Sequence, residues 1–222
     1  MTHTVAIKAI TPVAHNVFSY DLEKPEGFTF EPGQATEVAI DEDGWRDEKR
    51  PFTFTSLPDA EDLQFTIKSY PDHNGVTEHL TKQLVGDRLI IDDPWGTITY
   101  KGKGVFVAGG AGLTPFIAIL RAQCEAEGHL AGHTLLFANR RERDIILQDE
   151  LEQMPGLEIH HILSDEDKSG LDYGRIDRDY LQSVIKDFDQ TFYICGPDGM
   201  VKDLKAILKE LGANPEGLVF EK

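Results

Sequence analysis

The chain has 222 residues, enough for one large or two small hydrophobic cores, and its formal net charge of -17 lacks the basic footprint that nucleic-acid binding demands. Its two cysteines, Cys124 and Cys195, are too few to hold an iron–sulfur cluster on four thiolates, so none is expected in this chain. No stretch has the length of a membrane span, and the start MTHTVAIKAITP lacks the regions of a signal peptide, so a cytoplasmic protein is expected.

Residues 1–100 read as an antiparallel β domain. Val5, Ile7 and Ala9 alternate with polar neighbours, and Val17, Ser19 and Asp21 lead a second such run. Pro32-Gly33 forms a turn before extended residues 34–40. The charged segment 41–49, DEDGWRDEK, reads as a solvated loop over a binding site. Residues 50–56 and 63–70 return to strand composition. Residues 77–84 read as a short helix capped by Thr77, with Leu80 and Leu84 on one face. From residue 101 to 222 the rhythm changes. Strands are predicted near 104–108, 134–138, 157–163, 191–195 and 217–221, and helices near 115–127, 145–153, 177–185 and 198–211. That alternation predicts a doubly wound parallel sheet. The expected architecture is an N-terminal antiparallel β-barrel over 1–100 and a C-terminal α/β domain over 101–222, with ligands in the cleft between them.

Four local patterns carry chemistry. Arg50-Pro51-Phe52-Thr53 puts a guanidinium and an aromatic ring on one face of a strand and Pro51 and Thr53 on the other; the first pair suits a phosphate and a flat heterocycle. Asn74-Gly75-Val76-Thr77 enters a helix and is a second candidate anion site. Gly109, Gly110 and Gly112 follow the apolar run at 105–108 and precede Thr114-Pro115, read as a helix cap and first helical residue. Cys195-Gly196-Pro197-Asp198 closes a buried strand at the carboxyl edge of the sheet, where such folds bind ligands. Each pattern alone also has a plainer reading: RPFT as ordinary strand composition, the glycines as a tight structural turn. No metal site is expected. The acidic run from Asp165 to Gly170 has Ile176 where a calcium loop needs glutamate, and adjacent His160 and His161 point to opposite faces of a strand.

Taken in order with Pro32-Gly33-Gln34, Gly86-Asp87, Pro94, Gly96, Asn139-Arg140 and the continuation CGPDGM, these motifs resemble the ferredoxin–NADP reductase family of flavoproteins. The likeness is closest to compact bacterial flavodoxin and ferredoxin reductases and to the reductase modules of oxygenases. The resemblance implies FAD, with FMN as the alternative, and NADPH or NADH. It implies hydride transfer from nicotinamide to flavin, then single electrons to a separate carrier: ferredoxin, flavodoxin or an oxygenase component. Under it, Arg50 would bind the flavin pyrophosphate, Pro51 and Phe52 would lie along the flavin, and Thr53 would hydrogen-bond near its N5. Asn74, Gly75, Val76 and Thr77 would meet the phosphates. Gly109, Gly110, Gly112, Thr114 and Pro115 would admit and orient the nicotinamide, beside Cys195, Gly196, Pro197 and Asp198. Thr53, Cys195 and Glu221 would be catalytic. Asn139, Arg140 and Arg141, with no acid at that strand tip, favour the 2′-phosphate of NADPH. Phe52 departs from the family's usual tyrosine, and the chain ends Phe220-Glu221-Lys222 without a terminal tyrosine to cover the flavin. Reduction of free flavin or quinone, or a silent nucleotide-binding regulatory module, are the alternative activities.

Overall fold

In the computed structural model, which describes residues 1–96, 98–214 and 217–220, two six-stranded sheets follow one another along the chain. The first contains β1 (Thr2–Ala14), β2 (Val17–Glu23), β3 (Ala35–Ile40), β4 (Arg50–Thr53), β5 (Asp62–Lys68) and β6 (Arg88–Asp92), with one short helix, α1 (Val76–His79), between β5 and β6. Its order is β4-β3-β6-β1-β2-β5 and every neighbouring pair is antiparallel. The two edge strands meet just past β4, where Phe54 bridges Phe65 and the Thr55 N–H donates to the Gln64 carbonyl at 2.8 Å. This contact closes the sheet into a barrel filled by Val5, Ile7, Tyr20, Leu22, Val38 and Phe65. In β2 the inward set is Tyr20 and Leu22, whereas Val17 packs with the second domain's core. The β1–β2 ladder is irregular between Pro12 and Ala14, and such a bulge breaks strict alternation.

The second sheet contains β7 (Gly104–Gly109), β8 (Thr134–Asn139), β9 (Glu158–Leu163), β10 (Asp172–Tyr173), β11 (Thr191–Cys195) and β12 (Leu218–Phe220). Its helices are α2 (Thr114–Glu127), α3 (Gln148–Glu152), α4 (Arg178–Val184) and α5 (Asp198–Glu210). All pairs are parallel and the order is β10-β9-β8-β7-β11-β12. Every residue of β7 is buried, as the unbroken apolar run requires of a strand covered on both faces. Phe106, Leu135 and Phe137 pack toward α2, while Val105, Val107 and Leu136 pack toward α4 and α5. The chain winds outward from β7 through β8 and β9, then returns to β11 on the other side of β7. The switch point of the sheet therefore lies between β7 and β11. Among the described residues, no helix is long and apolar enough to cross a membrane.

Two expected helices differ. Over 77–84, α1 gives way to a 3-10 turn at Leu80–Lys82; Gly75 occupies the N-cap, so Thr77 lies inside the helix, and Leu84 is 70% exposed. Over 145–153, buried Ile145 and Ile146 run into Leu147, whose φ of 53° breaks the helical path and delays α3 to Gln148. The catalytic expectation placed on Glu221 lies outside the described residues.

Two buried histidines couple this core to pH. His133 donates from Nδ1 to the Leu130 carbonyl at 3.0 Å and accepts the Tyr100 hydroxyl on Nε2 at 2.8 Å. His161 stands beside Phe137, its Nε2 3.5 Å from Glu152 Oε1. Burial is the main cause that pushes both imidazoles below their ordinary value. Below about pH 6.5 the unfolded chain therefore binds more protons than the folded one, and stability falls with pH until the folded pKa is passed. Urea midpoints measured from pH 7 to pH 5 should decline. His161→Leu should flatten its share of that slope, which is at most about 1.4 kcal/mol per pH unit for one proton. A slope that His161→Leu leaves unchanged would remove His161 from this account.

Candidate functional site

The glycine turn and the CGPD segment are built against each other at the switch point. Ala108 pairs with Cys195 across β7 and β11. A Cβ on Gly112 would lie 2.3 Å from the Cys195 carbonyl oxygen, and one on Gly109 would lie 2.7 Å from Met200 Sδ. Gly112 thus serves the close approach of two backbones. Gly110 differs: its φ is 53° and a Cβ there would have nothing within 4 Å. The open side of the turn, available to a ligand, is therefore at Gly110. Residues Gly110–Leu113 form a 3-10 turn and helix α2 begins at Thr114, with Leu113 as N-cap. The expected Thr114 cap is corrected accordingly. The Thr114 hydroxyl donates to the Ala111 carbonyl at 3.0 Å, bracing the turn, and Pro115 sits one position inside the helix. Cys195 is only 5% exposed, while Pro197 and Asp198 open α5 at the surface.

On the barrel side, β4 pairs with β3 along one edge, from Thr36 opposite Phe52 to Val38 opposite Arg50. Its other edge meets β5 only beyond Thr53, which leaves a seam along RPFT. Arg50 and Pro51 are exposed, Phe52 is half-buried, and Thr53 is buried. The Arg50 guanidinium donates to the Lys49 carbonyl at 2.7 Å and lies 3.5 Å from Glu48. At the NGVT loop, Asn74 takes a φ of 48°, and its N–H donates to the Glu78 carboxylate at 2.9 Å. Asn74 therefore shapes the turn with its amide already engaged. Gly75 and Thr77 are half-buried, and Val76 anchors the loop in the barrel core.

The charged loop expected as a solvated excursion does expose Asp43, Gly44, Arg46, Asp47 and Glu48, and it is also latched down at Glu42 and Trp45. Trp45 stacks on His79 at 4.1 Å and 12°, and Glu42 binds His79 at 2.8 Å and Gln83 at 2.9 Å. These two hydrogen bonds hold the Glu42 carboxyl below its usual range. Arg46 folds back on Asp41 and Asp43. The loop is thereby fixed to α1, which begins within NGVT, and to Gln83 just beyond it.

The halves meet in a narrow crevice lined by Thr53, Trp95, Gly96, Ile98 and Pro115. On the same carboxyl edge of the sheet, one strand over from the glycine turn, Asn139 closes β8. It is 7% exposed, and neither atom of its amide has a hydrogen-bond partner among the described residues. A buried amide left without partners is costly unless something else pairs it. Beside it, Arg141, Glu142, Arg143, Asp165 and Glu166 line an open groove. The acids reach it because Asn139 and Arg140 carbonyls accept from the Ser164 and Asp165 N–H groups, at 3.0 and 2.9 Å. The strand tip itself carries no acid, as read from the sequence, but the segment that follows β9 brings Asp165 and Glu166, remote in sequence, to the same groove. Open Gly110, the orphaned Asn139 amide and the seam along RPFT fit a dinucleotide and a flavin approaching from opposite sides of the crevice.

A barrel followed by a parallel sheet, with a glycine turn at the switch point, defines a two-domain nucleotide-dependent reductase fold. Residues 106–206 match the model of the oxidoreductase NAD-binding domain. The chain is 30% identical over 220 residues to NADH-cytochrome b5 reductase 1 of Lodderomyces elongisporus, covering 91% of this chain and 72% of that one. It is also 30% identical over 199 residues to the plasma membrane-associated coenzyme Q6 reductase of Saccharomyces cerevisiae, covering 84% of this chain and only 63% of the yeast protein. The crystal structure of a Neisseria gonorrhoeae ferredoxin NADP+ reductase with bound FAD and NADP superimposes with a TM-score of 0.86 at 18% identity, covering 99% and 98% of the two chains. The chain belongs to the ferredoxin–NADP reductase family of FAD- and NAD(P)H-binding oxidoreductases.

Proposed function

We propose that this chain oxidises NAD(P)H and delivers electrons one at a time to a separate carrier protein. The observation that carries the reading is the shared crevice, where Thr53 of the barrel strand and Pro115 of the glycine-turn helix face one space. A bound flavin would supply the change from two-electron to one-electron transfer. Arg50 would hold its phosphates with the amides of Gly75, Val76 and Thr77. Phe52 would lie along the ring system, and Thr53 would offer a hydroxyl at its reacting edge. Gly110 and Thr114 would seat the nicotinamide against Cys195, while Trp95 and Pro115 keep water from the crevice.

The charge of -17 bears on the acceptor. In the barrel, Lys8, Arg46 and Lys49 are each paired with carboxylates, so these three offer an acidic carrier little attraction. Ferredoxin and flavodoxin remain the first carriers to assay. The relatives' names make cytochrome b5 and coenzyme Q6 the comparisons. Purified protein should take up FAD with a flavin absorbance band and reduce at least one of these with NAD(P)H. Absence of flavin uptake, or no turnover even with ferricyanide, would sink the reading.

The mixed groove at Arg141 supports use of both dinucleotides, with the arginines favouring the 2′-phosphate and Asp165 and Glu166 favouring a free ribose hydroxyl. Arg141→Ala should lower the NADPH-to-NADH ratio of kcat/KM about tenfold, the worth of one charged hydrogen bond. Replacing Asp165 and Glu166 by their amides should raise it. If neither change moves the ratio, specificity is set elsewhere.

A further inference from the structure

One guanidinium ties the two half-sites together. Arg121 lies on α2, seven residues beyond Thr114 and so on the same helical face, roughly 10 Å along the axis. Its Nε and Nη2 bind the Glu150 carboxylate bidentately at 2.6 and 2.8 Å. Its Nη1 crosses to the barrel and donates to the Thr55 carbonyl at 2.6 Å and to Gln64 Oε1 at 2.8 Å. Thr55 and Gln64 are the residues that close the barrel beyond β4. Gln64 is itself held from behind, donating from Nε2 to Asp21 at 2.8 Å and from its N–H to Ser56 Oγ at 3.0 Å. Thr55 follows Thr53 by two residues, roughly 7 Å along the chain. The Arg121 side chain is only 21% exposed.

We propose that Arg121 is a positioning residue that sets the spacing between the flavin-side strand at Thr53 and the nicotinamide-side turn at Gly110–Thr114. This inference rests on the hydride-transfer reading above. The rigid planar fork is what the role needs: Glu150 fixes its orientation on the helix, leaving one nitrogen to gauge the distance to the barrel. A lysine ammonium could reach the Thr55 carbonyl but could not hold Glu150 and the barrel in one fixed plane. Neither Arg121 nor Gln64 lines the crevice, so their effect on transfer would be exerted through geometry alone.

The test uses Arg121→Gln, Arg121→Lys and the milder Gln64→Ala. In the protein without added cofactors, hydrogen–deuterium exchange should rise together at 53–56 and 110–115 in Arg121→Gln and Gln64→Ala, with unchanged exchange in β9. In the FAD-loaded protein, flavin content and KM for NAD(P)H should stay near wild type. The rate of flavin reduction in stopped flow should fall on the order of tenfold or more, because an ångström of misplacement is enough for such losses. Arg121→Lys should recover part of that rate. Exchange that rises on one side only, or reduction rates equal to wild type in both Arg121→Gln and Gln64→Ala, would overturn the proposal. Wild-type protein that binds FAD but is not reduced by either dinucleotide would overturn the reductase reading instead, and the paired exchange would still decide whether Arg121 couples the halves.

Discussion

Gly112→Ala is expected to lower the melting temperature by roughly 5–10 °C, the effect of overpacking a rigid contact in a chain of this size, and to stop reduction of the FAD-loaded protein by NAD(P)H. The added methyl group would lie 2.3 Å from the Cys195 carbonyl oxygen and 2.5 Å from its carbon. Both atoms belong to the end of a central strand paired with β7, so neither can swing aside as a flexible side chain would. Relief requires the glycine turn to separate from CGPD, which opens the switch point itself. Gly110→Ala provides the contrast. Its Cβ meets nothing within 4 Å, so the cost is the left-handed backbone alone, about 1 kcal/mol. Its melting temperature should fall by only about 2–4 °C, while KM for the dinucleotide rises because the methyl projects into the open side of the turn. Thermal melts and steady-state kinetics on both variants separate the roles. Equal melting temperatures would show that the Gly112 contact yields more easily than its geometry implies.

What could be read from the residues in advance depended on whether the signal was local. The run from Val105 to Ala108 carries no polar alternation, and only a strand covered on both faces tolerates that, so the centre of the parallel sheet was legible. The order of RPFT, NGVT, the glycine turn and CGPD likewise announced a family before any contact was known. Thr114-Pro115 was a weaker guide, since the 3-10 turn at Gly110–Leu113 supplies the first turn's geometry and leaves the threonine to brace it. Asp165 and Glu166 could not be assigned to the groove beside Arg141 without knowing that β9 lies next to β8. Arg121 gave no signal at all. A single arginine on a helix looks solvated until the fold brings Thr55 and Gln64 to it. Asn139 lay in view as the tip of a strand, but the lack of a hydrogen-bond partner for its buried amide among the described residues is a property of three dimensions.

Arg50→Ala should weaken FAD binding by about 10- to 100-fold, the range expected for losing a charge-assisted hydrogen bond to phosphate. The side chain is about half exposed and its present partners hold it loosely: one neighbouring carbonyl, and the Glu48 carboxylate at 3.5 Å. Exposed pairs of that kind contribute little to stability, so the substitution should leave the fold intact and act on the ligand. Arg50→Lys should recover part of the affinity by restoring charge without the bidentate fork. Glu48→Gln should act in the opposite direction, since it removes the anion that competes for the guanidinium. Each variant can be titrated with FAD, FMN and riboflavin by flavin fluorescence. If Arg50 reads phosphate, affinity for FAD and FMN falls while riboflavin binding is unchanged. A loss shared by riboflavin would place Arg50 against the ring, and equal FAD affinity in wild type and Arg50→Ala would remove it from the site.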